Sequence, residues 1–126
     1  MPAREKRRSP RVPLSGKVKV ETVRGTFNAH GRDLSDGGMG VYLSKMPPLG
    51  SPVTVYFQLP SLAETIEITG EIKYHERGRP GVSDDWIGIR FLRMDASSQS
   101  AIHSFVKANY DDAHPRPPAP PPMKKG

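Results

Sequence analysis

The residues of this chain whose types and spacing could do chemistry together are Arg7-Arg8-Ser9-Pro10-Arg11 and Asp33-Leu34-Ser35-Asp36-Gly37-Gly38. Arginine presents a planar fork that grips a phosphate, or the O6/N7 edge of guanine, with two parallel hydrogen bonds, where lysine offers a point charge. Pro10 fixes a bend between Arg7 and Arg11, aiming both forks at one place. In the second stretch Asp33 can accept from guanine N–H groups and Ser35 can offer a hydroxyl to phosphate or base. Gly38, with Gly37 beside it, lets a ligand approach the backbone. A carboxylate repels phosphate, so Asp33 belongs at a base edge. Together the stretches suit a small anionic ligand carrying guanine edges. Each also has a plain explanation: the first as a solubilising charged tail, the second as an ordinary tight turn.

The charge distribution supports a joint reading. Residues 1–20 hold Arg4, Lys6, Arg7, Arg8, Arg11, Lys17 and Lys19 against the single acid Glu5. Their surplus equals the formal net charge of +6 of the whole 126-residue chain, so the remainder is balanced and the positive field is local. With 35% hydrophobic residues the chain suffices for one modest core. Cysteine is absent, which excludes disulfides and thiolate metal sites and suits a reducing, cytoplasmic location. The basic first residues lack the apolar run of a secretory signal, and no stretch has the length of a membrane span, so membrane insertion is not expected.

These groups need a scaffold, and the apolar pattern supplies one. Residues 1–11 lack periodicity and read as a flexible basic arm. From Leu14 the apolar residues alternate, with Val18 and Val20 facing away from Lys17, Lys19 and Glu21. Further strands are predicted through Thr26 to Arg32, Met39 to Leu43, Val53 to Leu59, Ile66 to Tyr74 and Trp86 to Phe91. Gly70 marks a bulge or tight bend. Six short strands separated by turn signals predict an all-β, six-stranded antiparallel β-barrel, closed or nearly so. Asp95 caps a C-terminal α-helix whose Ala101, Ile102, Phe105, Val106 and Tyr110 form one apolar stripe, ending near Asp111. The barrel domain with its helix is thus placed at 12–112, and a proline-rich, extended tail at 113–126.

In this arrangement the chain resembles the PilZ domain, a bacterial receptor module for cyclic di-GMP. That family carries Arg-x-x-x-Arg before the barrel and Asp/Asn-x-Ser-x-x-Gly on it, matched here by Arg7 to Arg11 and Asp33 to Gly38. Arg4 and Arg8 share the arginine spacing, but Arg11 leads directly into the first strand, as the family's second arginine does. Arg11-Val12-Pro13-Leu14, Gly38-Met39-Gly40-Val41 and Ile87-Gly88-Ile89-Arg90-Phe91 extend the likeness over residues 4 to 110. The resemblance implies cyclic di-GMP as the ligand, often an intercalated pair in this family, held by Arg7, Arg8, Arg11, Asp33, Ser35, Gly37 and Gly38. It also implies a non-enzymatic effector without cofactor, passing its signal to a protein partner in motility, type IV pilus or exopolysaccharide control.

Other signals are weaker. His30, His75, His103 and His114 form no ligand pattern, so no metal site is expected. Asp84-Asp85 reads as solvated charge, and Ser35 lacks the setting of a nucleophile elbow, leaving no catalytic residue. Trp86 is assigned to the core. Two alternatives stay open: a small-barrel binder of single-stranded nucleic acid, disfavoured because the aromatics fall on core positions, and a PilZ-like adaptor that binds no nucleotide.

Overall fold

The computed structural model describes residues 10–45, 47–60 and 62–113, with side chains through Tyr110. The arm before Pro10, including Arg7 and Arg8, lies outside the described residues, as does the proline-rich stretch from residue 114. Seven strands precede one helix: β1 (Val12–Pro13), β2 (Lys17–Thr22), β3 (Gly25–Leu34), β4 (Gly38–Tyr42), β5 (Pro52–Phe57), β6 (Ile66–Glu76), β7 (Trp86–Arg93) and α1 (Ala96–Ala113). All pairings are antiparallel. They run β3, β2, β5, β6, β7, β4 and back to β3, closing a six-stranded barrel, with the short β1 as an added strand on β3. Closure leaves the six main strands no open edge.

The first expected strand is interrupted. β1 and β2 lie end to end along one side of β3, Val12 facing Leu34 and Lys17 facing His30. Between them Leu14 turns into the core while its N–H donates to the Arg32 carbonyl at 3.2 Å, and Gly31 N–H donates to the Gly16 carbonyl at 2.8 Å. The ladder therefore continues across the break, and the arm enters the barrel beside the end of β3.

Alternation places Val18, Val20, Val53, Val55, Phe57, Ile66, Ile68, Ile72, Ile87 and Ile89 inside, where they meet Leu34, Met39 and Val41. The helix stripe is as expected: Ile102 and Val106 are buried, Ala101, Phe105 and Tyr110 partly so, and the helix packs against β1. Asp95 Oδ1 accepts from Ser98 N–H at 2.7 Å, satisfying a free amide of the first turn. That bond, reinforced by the Ser98 and Ser97 side chains, holds the Asp95 carboxyl below its usual range.

Three ladder positions break the alternation. Register shifts occur on β3 between Gly31 and Asp33, leaving Arg32 as an extra residue, and on β6 between Ile72 and Tyr74, leaving Lys73. At Gly70, where a bulge or bend was expected, the extra residue is Leu92 of the facing strand; a Cβ on Gly70 would come within 2.5 Å of the Arg90 carbonyl oxygen.

Candidate functional site

The bulges on β3 and β6 flank one cleft. An extra residue rotates everything beyond it to the other face of the sheet. On β3 this brings Arg32 and Asp33 to adjacent, half-buried positions; on β6 it turns Lys73 and Tyr74 outward after the buried Ile72. Between them in the barrel run β4 and β7. The outward residues of β7, opposite the buried Ile87 and Ile89, are Trp86, Gly88 and Arg90. With Arg11 from the segment entering β1 and Gly37 and Gly38 from the turn, these residues line a cleft of about 460 Å³. That volume is suited to a small ligand.

At one end of the cleft lies a carboxylate with two cations. Arg11 Nη1 donates to Asp33 Oδ1 at 2.6 Å, and Arg32 donates to Asp33 Oδ2. Gly40 N–H also donates to Oδ1, at 3.0 Å. A carboxylate has about four acceptor positions, and three are filled by these bonds. The Asp33 side chain is only 14% exposed, whereas that of Arg11 is 50% exposed, leaving guanidinium N–H groups free to reach a ligand. Arg11, which closes the first motif, thus meets Asp33, which opens the second.

The floor is aromatic. The Tyr74 and Trp86 rings lie 5.1 Å apart at 42°, and the Arg32 guanidinium carbon sits 3.9 Å above the Trp86 ring. Gly88 makes room, because a Cβ there would lie 3.0 Å from that of Tyr74. The Tyr74 hydroxyl donates to Glu76 Oε1 at 3.0 Å, a bond that holds the phenol above its usual range. Trp86 is therefore not a core residue as assigned from the sequence. The same alternation that buries Ile87 and Ile89 puts it outside, and that signal was legible.

The turn is built from within. Ser35 is buried, and its Oγ accepts from Gly37 N–H at 3.3 Å and Gly38 N–H at 3.2 Å and donates to the Gly38 carbonyl at 3.3 Å. Its hydroxyl is thus occupied in shaping the turn rather than facing the cleft. Gly38 is required by β7: a Cβ would come within 2.4 Å of the Ile89 carbonyl oxygen. Gly37 is the open position, with nothing within 4 Å of a Cβ built there.

The cleft is strongly cationic. Arg11, Arg32, Lys73 and Arg90 line it against the single acid Asp33. Among the described residues Lys73 and Arg90 make no ion pair. Of the expected site residues, Arg11, Asp33, Ser35, Gly37 and Gly38 are gathered here, Ser35 beneath the surface. Arg32, Lys73, Tyr74 and Arg90 join them without having been expected as site residues, and Trp86 after having been assigned to the core. Among the described residues no group of histidines or acids could hold a metal, and no helix is long and apolar enough to cross a membrane.

A family model for the PilZ domain matches residues 5–108. No curated protein sequence matches the chain. Among solved structures, the Bacillus subtilis inhibitor of motility, MotI/DgrA, is similar with a TM-score of 0.76 at 15% identity, covering 89% of this chain and 54% of that one. The chain thus spans about half the length of that protein. The PilZ domain of YcgR from Escherichia coli, solved with c-di-GMP, gives 0.63 at 18% identity, covering 86% of this chain and 95% of that one. The K. pneumonia MrkH complex with c-di-GMP gives 0.60 at 19%, covering 86% and 54%. Such identities speak to fold. The family match spans the barrel, the turn and most of the helix, and the chain belongs to the PilZ domain family.

Proposed function

We propose that this chain is a receptor for cyclic di-GMP, bound in the cleft between the β3 and β6 bulges. The observation that carries this reading is the lining itself: four cations, one carboxylate and an aromatic floor. Each suits one part of the ligand. The Arg11 fork takes phosphate or the O6/N7 edge of guanine, and Asp33 takes guanine N–H groups. Trp86 and Tyr74 give a purine a face to stack on, while Lys73 and Arg90 offset the phosphate charge. Gly37 and Gly38 present the turn backbone, and Ser35 holds that turn in shape.

Arg7 and Arg8 precede Pro10 by two or three residues, so closing the arm brings them to the same ligand. Ordering the arm costs about 1–2 kcal/mol per residue in backbone entropy. Charge-assisted bonds return about 1.5–3 kcal/mol each, so three arginines on one ligand suffice to hold a short segment closed. Closure changes the surface around the cleft, and we propose that a protein partner reads that change, in motility, type IV pilus or exopolysaccharide regulation. The role is ligand binding rather than catalysis. The protein neighbours solved with c-di-GMP support this reading by analogy of fold.

Calorimetry with cyclic di-GMP, GTP and a short oligonucleotide on one protein sample tests the assignment. Saturable heat with the cyclic dinucleotide alone is expected. Heat with the oligonucleotide alone would make the barrel a single-strand binder, and silence with all three would leave an adaptor acting through protein contacts.

A further inference from the structure

Asp36 lies in the ligand turn but points away from the cleft. Its Oδ2 meets His103 Nδ1 of α1 at 3.1 Å, across 67 residues of sequence. Its Oδ1 is buried and is the one such side-chain atom among the described residues without a hydrogen-bond partner. Ala96, Gln99 and Ser100 complete the wall around this carboxylate. The turn is thus two-sided: Gly37 and Gly38 line the ligand cleft, while Asp36, one residue earlier, is clasped by the helix.

We propose that Asp36 and His103 are positioning residues for the ligand turn, and that proton uptake by His103 tightens cyclic di-GMP binding. The inference rests on the receptor reading above. An anionic ligand beside Gly37 lies within about one Debye length of Asp36, some 8–10 Å at ordinary salt, so the charge on that carboxylate is felt in the cleft. With neutral His103 the pair carries one negative charge, which repels the ligand's phosphates. With protonated His103 the pair is neutral and the clasp becomes charge-assisted, holding the turn in the shape that Ser35 sets. By linkage, a ligand that favours the protonated pair binds more tightly where that pair is populated.

His103 meets one acid through a hydrogen bond. From the turn it faces Asp36. Along α1 its neighbours are Gln99, Ser100 and Ser104, with Lys107 one turn on. The strand β1, which packs on the helix, consists of Val12 and Pro13, neither of which titrates. None of the four cleft cations lines the hollow around Asp36 and His103.

The test is cyclic di-GMP affinity between about pH 5 and 8, the span in which histidine titrates, for the wild type and His103→Gln, at low salt. Glutamine keeps a donor for Asp36 without taking up a proton. The His103 side chain is 66% exposed, so the variant should fold, as circular dichroism will verify. The wild type should bind about three- to fivefold more tightly at the acid end, the scale of a partly exposed ion pair. The variant should show a flat profile near the wild type's alkaline value. Equal slopes in both proteins, or a flat wild-type profile, would overturn the inference while leaving the receptor reading intact. Absence of wild-type binding at every pH would overturn both.

Discussion

The barrel carries cations on two outer faces. On β2 and β5 the ladders are regular, Lys17 and Lys19 project in step, and Tyr56 ties back to Glu21 through a 2.8 Å hydrogen bond. On the side made by the ends of β3 and β6 with β4 and β7, two ladders slip by a residue, and Arg32, Lys73, Tyr74 and Trp86 converge with Arg11 on one concave cleft. Positive charge is common to both. What separates them is irregularity: the regular ladders set Lys17, Lys19 and Tyr56 around a hollow of about 660 Å³ with no arginine or acid in its lining, whereas a bulge re-aims two neighbours at once. On the proposed reading, a basic face becomes a binding site here because the strands depart from their period.

The contrast is broken most sharply by charge removal on each side. Arg11→Ala, or Arg7→Ala, should remove a charge-assisted bond of about 1.5–3 kcal/mol and raise the cyclic di-GMP Kd by roughly ten- to a hundredfold. Lys17→Ala and Lys19→Ala should each change it by less than about twofold, with the effect fading in salt. Calorimetry on the four variants measures this, and equal losses would mean that the two faces bind by nonspecific attraction. Trp86→Ala should follow, since base–aromatic stacking contributes about 1–3 kcal/mol. Tyr56→Ala on the regular face, by contrast, should leave the same titration unchanged.

Smaller effects separate shape from contact within the turn. Gly38→Ala drives a methyl into the Ile89 carbonyl and should destabilise the fold by about 1–3 kcal/mol, seen as a lower urea midpoint. Gly37→Ala meets nothing and should stay within about 0.5 kcal/mol of the wild type, changing binding more than stability. A change confined to stability is expected far from both faces. Asp95→Ala removes the helix cap, whose carboxyl is held below its unfolded value of 3.8. Its contribution is therefore complete above that value and disappears as the pH falls through the folded one. The thermal midpoints of variant and wild type should differ at neutral pH and converge in acid; a constant difference would mean the cap acts through packing instead.

Most of the barrel was legible because burial on one face imposes a period of two, which Val18/Val20, Val53/Val55/Phe57 and Ile87/Ile89 display directly. The helix was legible from its stripe and from Asp95. Arg11 and Asp33 were legible because their motif carries its own spacing, and their meeting follows from β1 pairing with the end of β3. The other side of the cleft was hidden by the bulges. Counting by twos from Ile66, Ile68 and Ile72 puts Tyr74 inside, and only the extra residue at Lys73 turns it out. Trp86 needed no bulge, only its parity against Ile87; its size weighed toward the core instead. Ser35 carried the motif's hydroxyl, yet burial directs that hydroxyl to the turn's own amides.

Trp86 is the protein's single tryptophan and forms the floor of the cleft, so its fluorescence reports on that site alone. Titrating cyclic di-GMP into the wild-type protein should shift or quench this emission along a saturating curve that coincides with the calorimetric isotherm, with no change on adding GTP. Calorimetric binding that leaves the emission untouched would place the ligand elsewhere on the barrel and contradict the cleft as its site.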